Sequence, residues 1–432
     1  MLPAAITAAL VAAFAVDVPY HDQFELIPHL DRLYSGGLRW ADFDKQHNEH
    51  RILVPQTLFI LLAWLTRFDA RAELIPNFLA TLLTGFLIFR IWIRTPPPVR
   101  LPWYFLLPCS ALLFGWRQYE SLLWGACLVN TLTVLGVVAT VYFLWRSETG
   151  TGYYALALAT AFGASFSQGS GLLAWPLGLG ILALTDLPFI TKVRRMTGWC
   201  FIGFLVMVVY FANYRPQVNP WPTGIRHVLS HPWEAAQYAF IYLGSPLAGT
   251  PAQARLIGLI LAPLLAAIFW YGLRDDRFRR SVLPVLGILA YVVATAPMVL
   301  NARLGLGVAQ AYSSRYTVTT GLAPVALLFC WAYLRSRSRA RALVFYSLAG
   351  LMILGVFLGY QQGFRAMRTD YQLKLAARAS MQCFEQAPES ALAPVLYPDA
   401  RRVRQDADTL RRHRLSIFRH GIPECESAAR IR

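Results

Sequence analysis

Ionisable side chains able to do chemistry gather in four short stretches of this sequence. The first, Asp17-Val18-Pro19-Tyr20-His21-Asp22, follows an apolar run without a spacer, and the second is His47-Asn48-Glu49-His50-Arg51. The third is Arg117-Gln118-Tyr119-Glu120, and the fourth runs from Arg303 to Gln310-Ala311-Tyr312-Ser313-Ser314-Arg315-Tyr316. A carboxylate in a desolvated setting has its pKa raised toward the range useful for taking a proton from an acceptor hydroxyl. Asp17 suits that task because the apolar run before it would fix its position, and Glu120 would be a second carboxylate orienting the acceptor. Arginine presents a planar fork of donors, charged at any working pH, that matches phosphate. Arg51, Arg303 and Arg315 are therefore expected to hold a phosphate leaving group, with His50 giving a hydrogen bond or a proton. Asp22, His47, Glu49 and Tyr316 are expected in secondary or acceptor-side positions.

Each assignment has a plainer rival. Asp17 would equally mark a helix end in water, Arg315 would pair with a structural carboxylate, and Arg303 would sit on a lipid headgroup. The HNEH run contains metal-ligand types but not the two-histidine helical spacing of a zinc site. A divalent ion held by Asp17 and His50 is the metal-dependent version; no other cofactor is expected.

The elements that must position these groups are set by composition. Of 432 residues, 56% are apolar and only 15% charged, with a mean hydropathy of +0.43. Charge this sparse cannot coat two or three soluble domains and excludes a disordered chain, so lipid is the main solvent. The net charge of +17 does not point to nucleic acid, because the charges fall between apolar runs rather than on one soluble face. A crossing helix needs about 20 mostly apolar residues. Runs bounded by charge and turn residues predict spans at 2–16, 73–93, 101–115, 122–145, 153–167, 171–187, 197–213, 255–273, 281–300, 316–334 and 342–360. The reading is an all-α polytopic membrane protein of about eleven spans.

Arginine-rich loops mark the cytoplasmic side. They contain Arg94 and Arg100, Arg146, Lys192 with Arg194 and Arg195, Arg274 to Arg280, and Arg335 to Arg341, every second loop of the eleven. The amino terminus is then cytoplasmic, and the polar tail from about 362 lies outside. The apolar stretch 52–67 would invert every later loop if it crossed, so it is expected to lie in the outer interface after amphipathic 23–40. Residues 1–361 form the expected membrane domain, with 17–72 as first outer loop, and 362–432 a small cap. Cys383 and Cys425 both fall in that cap and are expected to form a disulfide in an oxidising compartment.

This arrangement resembles the GT-C superfamily of polytopic glycosyltransferases. The likeness is strongest in the amino-terminal half: an acid just after the first span (Asp17), a long first outer loop with interfacial helices, and a second acid between the third and fourth spans (Glu120). The segments HNEHR at 47–51, RQYESLLWG at 117–125, SFSQGSGLLAWP at 165–176 and QAYSSRY at 310–316 resemble those of a bacterial branch of the group. The resemblance implies an inverting transfer from a polyprenyl-phosphate sugar to an acceptor outside a bacterial inner membrane. The acceptor would be a glycan, a lipid-linked saccharide or a pilin-like protein. By the same resemblance Asp17 is the base, Glu120 an acceptor or metal partner, and Arg303 or Arg315 the phosphate contact. The chain departs from protein mannosyltransferases, whose acidic pair is adjacent, since Val18 follows Asp17. A transporter or flippase of a lipid-linked sugar would place its ionisable groups near mid-membrane, and an O-antigen-ligase-like enzyme would carry a large late loop.

Overall fold

The computed structural model describes residues 2–44, 46–95, 103–216 and 219–421. It is almost wholly helical, and the sheet among these residues is one two-stranded ribbon pairing Gln46 with Arg51 and His47 with His50. Asn48 turns that ribbon with φ at 51°, a left-handed conformation that asparagine tolerates better than most residues.

Seven helical segments are long and apolar enough to cross a membrane: Ala70–Arg94, Gly125–Thr149, Phe189–Phe211, Pro251–Arg274, Asp276–Leu306, Ser314–Arg337 and Arg339–Gln382. The other four expected spans form shorter helices, Leu2–Phe14, Leu106–Leu113, Thr151–Ser165 and Ala174–Leu184. The stretch expected at the interface is the apolar helix Leu53–Thr66. At 14 residues it is about 21 Å long, short of a hydrocarbon core about 30 Å thick. It buries Phe59, Ile60 and Ala63 and exposes Leu61, Trp64 and Leu65.

The basic loops meet at one end of the bundle. Arg195 donates to the Ser147 carbonyl at 2.8 Å, Arg280 pairs with Asp186 at 3.1 Å, and Arg337 pairs with Asp275. The ribbon, the Asp22 turn and the Arg315 segment lie at the opposite ends of these same helices.

The break expected near residue 361 falls inside Arg339–Gln382, a single 44-residue helix that runs on into the carboxy-terminal segment. Glycine lets it lie close against its neighbours: a methyl on Gly363 would come within 2.3 Å of the Trp116 backbone, and one on Gly355 within 2.6 Å of Leu247. Past it, the helix Ala400–Arg412 starts on Asp399, whose side chain accepts the Arg401 N–H. It buries Val403, Ala407 and Leu410 in a core shared with Phe24, Ile27, Leu30 and Phe59 of the first loop. The tail and the first loop are therefore one packed layer. Cys383 is disulfide-bonded, while Cys425, its expected partner, lies outside the described residues.

Candidate functional site

A cavity of about 510 Å³ opens at the end away from the basic loops. The 22–26 turn, the ribbon, the start of the 74–94 helix and residues 124–130 form one side. Residues 168–172, the ends of the Phe189–Phe211 and Asp276–Arg303 helices, and the 315–319 segment form the other. Of the expected site residues, Asp22, His47, Glu49, His50, Arg303, Arg315 and Tyr316 line it.

Most of these groups are paired. Arg303 meets Glu49 at 3.4 Å and lies over the Trp221 ring at 5.6 Å, while the second Glu49 oxygen is buried without a hydrogen-bond partner. His47 lies 3.8 Å from Asp22. Burial pushes the Asp22 carboxyl up, but the His47 hydrogen bond and charge, with Arg315 and His21, outweigh it and hold the pKa below the ordinary carboxylate value. Burial takes His50 down to about 4, so its ring is neutral. Its Nδ1 accepts the Gly169 backbone N–H at 3.3 Å, which puts the proton on Nε2.

Arg315 differs. Among the described residues no carboxylate lies within ion-pair distance of its guanidinium, although the group lines the cavity. Its backbone is fixed from behind by Glu120, whose carboxylate accepts the Arg315 N–H at 3.0 Å and the Ser314 hydroxyl at 2.6 Å. Glu120, expected as a second catalytic carboxylate, thus caps the turn that presents Arg315 and does not line the cavity. A carboxylate over free N–H groups at a helical start is satisfied there.

Asp17, the expected base, lies away from the cavity. It is 4% exposed, accepts the Ala70 N–H at 2.9 Å and pairs with Arg419 at 3.0 Å. Arg419 also holds Asp69 at 2.9 Å, so the cluster staples the end of the first helix to the carboxy-terminal layer. Burial, followed by the nearby Asp69 charge, raises the Asp17 pKa. Asp17 does not line the cavity, and it and His50 are not brought together as metal ligands. Among the described residues no group of three or more His, Cys, Asp or Glu is arranged to hold a metal ion.

Arg51, an expected phosphate contact, is placed against the end of the Phe189–Phe211 helix. Its Nε donates to the Tyr210 carbonyl at 2.7 Å, one Nη donates to the Ala212 carbonyl, and the other lies 3.4 Å from Asp44. It closes the carboxyl end of the Phe189–Phe211 helix, where unpaired carbonyls favour a cation. Tertiary packing engages the Nε and both Nη atoms of this guanidinium, and Arg51 does not line the cavity.

Sequence reasoning missed Glu73. This residue is 2% exposed and lines the cavity, and Gln23 donates to its carboxylate at 2.6 Å. No cation lies within ion-pair distance among the described residues. Gly125 makes room for it, since a Cβ there would fall 2.0 Å from Glu73 Oε2. The available signal was an acid opening an apolar span, with Asn77 one turn later. The cavity also has an apolar flank that includes Phe211 and Met298, 53% and 39% exposed on the bundle surface. Together these groups can bind an anion at Arg315, exchange a proton at Glu73 and accommodate a hydrocarbon chain alongside.

Comparison with protein-family models, with curated proteins and with solved structures finds no match for this chain.

Proposed function

We propose that this protein is an inverting glycosyltransferase moving a sugar from a polyprenyl-phosphate carrier to an acceptor hydroxyl. One observation carries the reading: a single cavity contains a guanidinium and a buried carboxyl, neither with an oppositely charged partner among the described residues, and an apolar flank open to the bundle surface. A prenyl chain would pass along Phe211 and Met298 while its phosphate reaches Arg315. In the transfer, the acceptor oxygen bonds to the anomeric carbon from the face opposite the phosphate. The carbon–oxygen bond to phosphate breaks, with its electron pair leaving on the phosphate oxygen. The acceptor proton passes to Glu73. Arg315 stabilises the charge developing on the phosphate, and the His50 Nε2–H is a second donor lining the same cavity. Asp22 and His47 stand on the side of the cavity formed by the first loop, where an acceptor would be oriented.

The positive-inside rule supports the matching location. With the arginine-rich end in the cytoplasm, the cavity faces the periplasm of a bacterial inner membrane. The seven long helices then combine with Leu2–Phe14, 103–113, Thr151–Ser165 and Gly169–Leu184 as eleven crossings, with a cytoplasmic amino terminus. The packed layer at the carboxyl end is periplasmic in this reading, and a reporter fused after Gly421 tests it by reading periplasmic.

The activity test uses the purified protein in nanodiscs, supplied with polyprenyl-phosphate sugars. Glu73→Gln is expected to slow transfer about 100- to 10,000-fold, the range for losing a general base. Arg315→Ala is expected to weaken polyprenyl-phosphate binding about 10- to 100-fold, the value of a charged hydrogen bond. Wild-type behaviour in both variants refutes the assignment. Movement of the lipid-linked sugar across the bilayer without transfer would make the protein a flippase instead. Mass analysis of surface glycans and pilins from cells with and without the gene identifies sugar and acceptor.

A further inference from the structure

The ribbon that carries His47 and His50 into the cavity has a second face. Directly opposed residues of a strand pair point to the same side, and successive residues along a strand point to opposite sides. The register pairs His47 with His50 and Gln46 with Arg51. The first pair lines the cavity described above, and the second lines a separate groove of about 580 Å³. Asp44, Val208, Val209, Asn213 and Arg215 line that groove as well. Gln46 fixes the chain there, since its side-chain amide accepts the Arg215 N–H at 3.0 Å and donates to the Arg215 carbonyl at 2.7 Å.

Three polar side chains of the groove keep free capacity among the described residues. Arg215 and Asn213 are exposed and have no side-chain partner, and Asp44 gives one carboxylate oxygen to Arg51 at 3.4 Å and keeps the other. The carbonyls of a helix end would repel an anion, but Arg51 donates to those of Tyr210 and Ala212 and offsets them. A guanidinium and an amide therefore offer donors to a phosphate, and Asp44 offers an acceptor to a cation beside it. Below them Val208 and Val209 continue into Leu205 and Phe204, all exposed on a helix of membrane-crossing length. That face suits an acyl chain. We infer that the groove binds a phospholipid whose headgroup joins a phosphodiester to a primary ammonium. A glycerol headgroup would leave Asp44 facing an anion without a cation between them. A quaternary ammonium has no N–H to donate, and no aromatic ring among the described residues lines the groove to hold it. Binding here requires no sugar transfer, so its test is independent of that reading.

The test is native mass spectrometry of the full-length protein in detergent, titrated with dioleoyl phosphatidylethanolamine, phosphatidylglycerol or phosphatidylcholine, and with phosphoethanolamine alone. The ethanolamine lipid is expected to bind about tenfold or more tighter than the other three. Arg215→Gln should weaken it about 10- to 100-fold, the value of a charged hydrogen bond. Asp44→Asn should erase the preference over phosphatidylglycerol, and Arg315→Ala should leave binding of the ethanolamine lipid unchanged. Equal or tighter binding of any of the other three by the wild type overturns the proposal, as does undiminished binding in Arg215→Gln or a preference that survives Asp44→Asn. Loss of binding in Arg315→Ala also overturns it, because the lipid would then occupy the larger cavity.

Discussion

Replacing Asp17 with Asn separates a structural role from a proton-accepting one. Asn keeps the bond from the Ala70 N–H at 2.9 Å but loses the 3.0 Å ion pair with Arg419. Removing one partner of a buried pair costs about 3–5 kcal/mol. Two features lower that figure here. Arg419 retains Asp69 at 2.9 Å, and burial with the Asp69 charge already opposes ionisation of Asp17. The expected loss is then about 1–2 kcal/mol, seen as a small fall in Tm. Its pH dependence has a defined sign. A carboxyl whose folded pKa is raised contributes most below its unfolded pKa and loses that contribution as pH rises through the folded value. The Asn variant should therefore trail the wild type by more at acid than at alkaline pH. The assay is thermal unfolding in nanodiscs by tryptophan fluorescence, run beside the transfer rate per folded molecule. That rate should stay within about twofold of wild type, because a residue outside the cavity stabilises no transition state. A variant with wild-type Tm and a rate down about 100-fold would make Asp17 the base and refute the reasoning.

Three further perturbations probe the same geometry. Gly125→Ala places a methyl 2.0 Å from Glu73 Oε2 and must displace that carboxyl, so transfer should fall about 100-fold while polyprenyl-phosphate affinity holds; full activity would argue against Glu73. Arg51→Met removes the donors on the Tyr210 and Ala212 carbonyls and should lower Tm without weakening lipid-phosphate binding; a stable variant with lost affinity would return Arg51 to the site. Burial raises Asp406 to about 6 against Arg402, so its contribution to stability is full below the unfolded value near 3.8 and lost as pH rises through 6. Asp406→Asn should accordingly raise Tm at pH 8, by up to about 3 kcal/mol of stability, and leave it unchanged at pH 4. Equal Tm for mutant and wild type at pH 8 would contradict that burial.

Hydropathy and charge in the sequence alone determined that the chain is helical, that its long apolar helices are of membrane-crossing length, and that its arginine-rich loops are kept apart from the stretches carrying Asp22, His47–His50, Arg303 and Arg315. Those properties repeat along the chain and need no partner to be read. Tertiary structure decided which ionisable group faces the cavity. Asp17, Arg51 and Glu120 have the right types and positions in sequence, but Arg419, two carbonyls of a helix end and the Ser314 turn consume them. Glu73 reads as the mere start of a span, yet Gly125 and Gln23 leave its carboxyl at the cavity wall. Tyr242, Thr295 and Thr319 lie scattered through apolar stretches and meet at the cavity only when three segments pack together. A side chain's availability depends on which distant donor or acceptor reaches it first, and residue type and spacing along the chain do not encode that outcome.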